Sequence, residues 1–183
     1  MGNAVHRALI ACAFCAMLLV SCSSQNGPVV WRNITVDLPE GWVVFERTDT
    51  TLSIANVPLG PQEDGAPRAV PDGEVVAMFF SYEPDTLPRD WLEFLAANGA
   101  EIETQQQRIL TGDVPATQVV YRLTDEITDT REMVVLIPSR NVVILAQPVP
   151  SVGDSSGPDV FLRNIDTFLT VVDTLNFGAP VVE

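Results

Sequence analysis

Three cysteines are the residues of this chain best suited to chemistry, and all lie in residues 12–22, CAFCAMLLVSC. Cys12 and Cys15 are spaced as C-x-x-C. In a strand–turn–helix context that spacing supports thiol–disulfide exchange, and in doubled form it holds zinc. Neither context is present. The pair sits among Ala, Phe and Met in an uninterrupted apolar run, Ala8–Val20. There is no second C-x-x-C, and the only histidine, His6, precedes the run. Buried among apolar neighbours, a cysteine behaves as a small hydrophobic residue. Cys12 and Cys15 are therefore filler, and Cys22 stands apart from them.

The run Ala8–Val20 follows a short polar start with one arginine, Arg7. It is too short to cross a hydrocarbon core of about 30 Å as a helix, and has the length of the apolar region of a secretory signal. Leu19-Val20-Ser21-Cys22 resembles a bacterial lipobox. The resemblance implies a diacylglyceryl group on the Cys22 thiol and cleavage before Cys22, whose new amino group is then open to acylation as well. One acyl chain anchors marginally, whereas two or three hold firmly. A plain secretory signal with a chance cysteine is the alternative. An N-terminal myristoyl site is excluded, because His6 stands where that motif needs Ser or Thr. The expected organisation is a signal peptide over 1–21, a lipidated cysteine and short tether over 22–29, one domain over 30–178 and a tail over 179–183. Both cysteines of the C-x-x-C would leave with the signal peptide.

Composition limits what the remaining domain does. Apolar residues make up 46% of the chain, so it can bury a core. The 24 acidic residues outweigh 10 basic ones; all the basic residues are arginine, and every acid and all arginines but Arg7 follow residue 21. Nucleic acid is an unsuitable partner, since phosphate binding needs a basic surface. With no lysine and no histidine after His6, Schiff-base chemistry, serine–histidine and cysteine–histidine nucleophiles, lysine-bearing phosphate loops and His-ligated zinc are all excluded from the domain. The chain is expected not to be an enzyme and to carry no cofactor.

The elements follow from periodicity. Asn33–Leu38 alternates apolar and polar residues as a half-buried strand does, and Pro39-Glu40-Gly41 is turn chemistry. Trp42–Arg47, Leu52–Val57 and Glu74–Tyr82 read as strands around a Pro/Gly-rich loop at 58–73. Leu87, Trp91 and Leu95, with Leu92, predict a helix that has Pro88 in its first turn and Gly99 at its cap. Strands are expected again at Glu101–Ile109 and, after a Gly112–Pro115 turn, at Ala116–Leu123. The continuous runs Met133–Pro138 and Asn141–Gln147 predict central strands covered on both faces. Phe161, Ile165, Phe168, Leu169, Val172 and Leu175 predict a second helix ending near Asn176. The order β-β-β-β-α-β-β-β-β-α makes the fold class α+β, an antiparallel-rich sheet with two main helices packed on it.

Ile34–Trp42, ITVDLPEGW, resembles the opening hairpin of the PsbP-like superfamily, which includes DcrB- and LpqN-type lipoproteins. The later pattern is similar over about residues 30–178: a helix with a central Trp, a strand, a turn with Gly112, Pro115 and Ala116, long strands, then an amphipathic helix. The resemblance implies a PsbP-like α/β sandwich and a binding or accessory role. It supplies no catalytic motif.

Three functions remain. The first is an extracytoplasmic lipoprotein, membrane-bound through its lipid anchor, that docks on another envelope protein with a basic face. The second is a small-ligand or metal-binding lipoprotein. Its candidate metal residues are Asp125, Glu126 and Asp129, which could bind Ca²⁺ through oxygens or form a solvated charged hairpin. Glu63, Asp64 and Asp72 read the same two ways. The third is a hydrolase using two carboxylates. Trp31 and Trp42 are either an exposed aromatic contact surface or the cover of the first hairpin.

Overall fold

The apolar runs around Val134 and Ile144 form the two strands at the middle of a seven-stranded antiparallel sheet. The computed structural model describes residues 27–59, 70–71, 73–84, 88–124, 129–149 and 158–178. In chain order these form β1 (Val29–Trp31), β2 (Ile34–Val36), β3 (Val43–Arg47), β4 (Thr51–Ala55), β5 (Val76–Tyr82), α1 (Pro88–Ala97), β6 (Glu101–Leu110), β7 (Val114–Thr124) and β8 (Asp129–Ile137). A 3₁₀ turn (Pro138–Arg140), β9 (Val142–Pro148), α2 (Pro158–Thr174) and β10 (Asn176–Phe177) complete them. The protein is α+β, as its sequence predicts. The large sheet runs β3-β4-β5-β9-β8-β7-β6, and a small second sheet runs β1-β2-β10.

One face of the large sheet carries Leu52, Ile54, Met78, Phe80, Met133, Val135, Ile137 and Ile144, all almost fully buried. It is closed by α2 and the small sheet. Phe161, Phe168 and Val172 recur at helical spacing on α2, and with Leu175 just beyond its end they are each 0% exposed. Trp31 meets Phe80 edge-on at 6.4 Å, and Trp42 meets Phe168 edge-on at 6.3 Å. The opposite face carries Val119, Tyr121, Val134, Leu136 and Val143, and α1 lays Leu95, Trp91 and Leu92 on it. The helix ends as the sequence predicts. Gly99 takes φ +77°, and the Ala100 and Gly99 amides return to the Leu95 and Ala96 carbonyls at 3.0 and 3.1 Å, a Schellman motif.

Four expectations are corrected. Ile34–Val36 and Val43–Arg47 do not form a hairpin: the Pro39–Gly41 turn carries the chain from the small sheet to the large one, and β2 pairs instead with β1 and β10. Trp31 and Trp42 are neither an exposed surface nor the cover of a hairpin; at 2% and 7% exposure they are the wedge between the sheets and α2. The C-terminal helix stops at Thr174, because Asn176–Phe177 extends to become the third strand of the small sheet. Pro115 lies in β7 rather than in the turn. It is tolerated there because pairing with β8 begins only at Thr117, so no second neighbour asks for its missing N–H.

Trp31 joins the two sheets by packing and by its indole N–H, which donates to the Thr48 carbonyl at 2.9 Å. Replacing Trp31 by Ala is expected to cost about 3–5 kcal/mol. Replacing the neighbouring Val30, 52% exposed, should change stability by no more than about 0.5 kcal/mol. Denaturant midpoints of the two variants check this; equal midpoints would contradict the wedge.

Candidate functional site

Helix α1 is amphipathic but shallowly seated. Leu95 is its one fully buried side chain among those described, whereas Phe94, three residues beyond Trp91, is 56% exposed. The two rings meet edge-on with centroids 5.7 Å apart. The Trp91 indole N–H donates to a Glu83 carboxylate oxygen at 3.3 Å, which ties the helix to the end of β5. Asp90, in the first turn, lies beside Arg89 at 3.3 Å. Glu83, Asp90, Trp91 and Phe94 line a largely apolar groove of about 250 Å³. Such a groove brings two aromatic side chains near two carboxylates, residue types that suit a cationic side chain with an apolar stem.

Beneath the other end of α1, Tyr121 on β7 and Glu132 on β8 are directly opposite each other. The phenol donates to a Glu132 oxygen at 2.6 Å. Burial raises the Glu132 carboxyl above its ordinary value, and the Tyr121 hydrogen bond opposes this only in part. Burial, then the negative charge of Glu132, raises the Tyr121 phenol. This is a polar pair inside an apolar layer, with one carboxyl where acid-based hydrolysis needs two.

A second crevice, of about 380 Å³, is lined by Trp31, Arg32, Arg47, Thr48 and Asp49. Its guanidinium groups are structural. Arg32 lies over the Tyr82 ring at 3.7 Å and donates to the Asp49 carbonyl at 3.0 Å, and Arg47 donates to the Val30 carbonyl. They clamp the β1–β2 turn, where Arg32 holds φ +53°, onto the β3–β4 hairpin.

Of the residues singled out from sequence, Leu19, Val20, Ser21 and Cys22 lie outside the described residues, as do Cys12, Cys15, Asp125, Glu126, Glu63, Asp64 and Asp72. Asp129 is described. Both its oxygens accept from Arg122 at 2.7 Å, and that guanidinium holds its carboxyl below the ordinary value. Among the described residues no group of three or more His, Cys, Asp or Glu is placed to hold a metal. Sequence reading missed Phe94, Tyr121 and Glu132. Phe94 was detectable as an aromatic residue off the apolar stripe of α1; the Tyr121–Glu132 contact depends on strand register, which no local pattern reports.

Fold and groove together define an α+β protein with a surface groove lined by two aromatic and two acidic residues. No family model matches the chain. No curated protein matches it. Among solved structures it is similar to a protein of unknown function, PA94, from Pseudomonas aeruginosa, at 12% identity and a TM-score of 0.43, over 85% of this chain and 98% of that one. No property of that protein is carried over at this level of similarity.

The Glu132 environment predicts a pH effect. A carboxyl raised in the folded state binds its proton more tightly there than in the unfolded chain. Its ionisation therefore removes stability as pH rises through the raised value, and the loss is absent below the unfolded value. Glu132→Gln keeps an acceptor for Tyr121 and should raise the melting temperature at about pH 7.5 by about 2–4 °C. The gain should vanish at about pH 4. Melting curves of both proteins across that range test it; a gain independent of pH would contradict the assignment.

Proposed function

We propose that this chain is a bacterial lipoprotein with a PsbP-like domain, anchored through Cys22 on the extracytoplasmic side of the membrane. Its role is that of a non-enzymatic interaction module that engages a basic segment of another envelope protein. The observation that carries the reading is the groove at α1. Two aromatic side chains, one more than half exposed, sit beside Glu83 and Asp90 on a protein with a formal charge of −14. Aromatic anchors in partly closed pockets contribute most of the binding energy at protein interfaces. The surrounding negative potential speeds encounter with a cationic partner and rejects an acidic one. A groove of about 250 Å³ lies below the usual range of small-molecule pockets, roughly 300–1,000 Å³, which favours a side chain as occupant over a free ligand.

Two measurements test this. Cys22→Ser in the full chain should leave the protein outside the membrane fraction and remove the lipid mass. Continued membrane fractionation without a lipid adduct would defeat the anchor. A photo-crosslinking residue placed at Phe94 should give one dominant adduct in cells, weakened several-fold by Asp90→Asn and by raised salt. The same residue at Leu162, exposed on α2, should not give it. Identical adducts from both positions would defeat the groove as the contact.

A further inference from the structure

We propose that strand β6 is the contact of a two-fold dimer, pairing antiparallel with β6 of a second copy of this chain. β6 is the edge of the large sheet, and residues 101–107 are exposed in an unbroken row, so neither face of this part of the strand is covered. Among the described residues, no backbone hydrogen bond other than those of the β6–β7 ladder involves residues 101–110. One row of N–H and C=O groups therefore faces solvent along a strand of 10 residues. Edges are ordinarily blunted by charged side chains, Pro, a bulge or a covering element. β6 has no Lys or Pro; its charges and its bulge lie towards its ends, and its middle is the uncharged stretch Thr104-Gln105-Gln106-Gln107.

The strand is complementary to itself. Pairing with β7 is regular from Thr104 to Leu110, and a bulge separates Thr104 from Ile102. Because of that bulge Ile102 pairs opposite Tyr121, while Ile109 pairs opposite Pro115. Tyr121 and Pro115 are an even number of residues apart on one strand, so Ile102 and Ile109 lie on the same face of the sheet. They are the two large apolar side chains of β6 that are exposed, at 39% and 69%. A two-fold axis at Gln106 sets Thr104 against Arg108 of the mate and Gln105 against its Gln107. The same axis brings each Ile102 beside the other copy's Ile109. Parallel pairing in register would instead set Glu101 and Glu103 against their own copies. The opposite edge, β3, is an unsuitable mate, being only 5 residues long against the 10 of β6. The placement of the two isoleucines thus selects an antiparallel second copy.

The test is cysteine crosslinking of the full chain in the cells that express it. Directly opposite residues of antiparallel strands have Cα atoms about 4.5–5.5 Å apart, within the range of about 4.4–6.8 Å that a disulfide spans. Under mild oxidant Gln106→Cys should give a disulfide-linked homodimer. Its yield should exceed several-fold that of the unsubstituted chain, whose own cysteines set the background, and that of Thr170→Cys on exposed α2. Adding Ile109→Glu to the Gln106→Cys chain should lower the yield several-fold, while Ile109→Leu should preserve it. Both positions are exposed, and unchanged protease resistance would show that the variants fold. Crosslinking no greater than for Thr170→Cys, a product insensitive to Ile109→Glu, or a product with the mass of a different partner would each overturn the proposal.

Discussion

The pairing of β5 with β9 is the constraint on which the rest of the structure depends. Strands β3–β5 and β6–β9 are two separate antiparallel meanders, each built from neighbours in sequence. Only the ladder from Val76↔Pro148 to Tyr82↔Val142 joins them into one sheet. Bringing such distant segments together costs chain entropy before any contact forms. Burial on both faces offsets that cost. Val76, Met78 and Phe80 lie with Ile144 and Ala146 on one side, and Ala77 lies with Val143 on the other. A slip of one residue would exchange the two sets. Continuous apolar runs are therefore required here, and alternation is left to strands with a solvated side.

Once the two meanders are joined, their faces receive unequal cover. The chain's two described ends meet in the small sheet, where Phe177 pairs with Ile34 and the Gly178 amide donates to the Asn33 carbonyl at 2.7 Å. That sheet and α2 close one face over its whole middle. The other face has only α1, seated chiefly through Leu95, and a separate cluster around Ala55, Leu59, Val75 and Ala77. Shallow burial on this side is why Phe94 remains at the surface and why no described element covers the Glu101 end of β6. Elements with few buried contacts also open most readily. The surfaces available for recognition are thus a consequence of where the core is thickest.

Most of the fold was legible from local pattern. The helices over Pro88–Ala97 and Pro158–Thr174 follow from apolar spacing and caps, and the central strands from their unbroken apolar runs. The small sheet was not legible. Val29–Trp31 and Asn176–Phe177 are too short to show any period, and each becomes a strand only because β2 offers its edges. Trp31 and Trp42 looked like one feature because they are near in sequence. They serve different contacts, one on Phe80 and one on Phe168, which only tertiary packing decides. The groove was half visible: Trp91 stood out as part of the helical stripe, but its neighbours Glu83 and Phe94 acquire meaning only when α1 is laid beside the end of β5.

The exclusive use of arginine as the cation fits this architecture. Every described arginine has a hydrogen-bond or ion-pair partner. Arg108 joins β6 to Gln118 and to Asp173 on α2; Arg131 holds both oxygens of Glu103; and Arg163 pairs with Glu74. Arg140 donates to the Gly178 carbonyl and lies over Phe177. Arg32 and Arg47 clamp the first turn, and Arg122 binds Asp129 through two bonds. A planar fork with several donors suits such fixed, two-point contacts better than a single flexible ammonium. These ties draw the described positive charge into internal contacts, while carboxylates outnumber arginines by 24 to 10 over the whole sequence. A cationic partner would therefore meet a chain whose carboxylates outnumber its own arginines, and the net negative field would favour that encounter over one with an acidic partner.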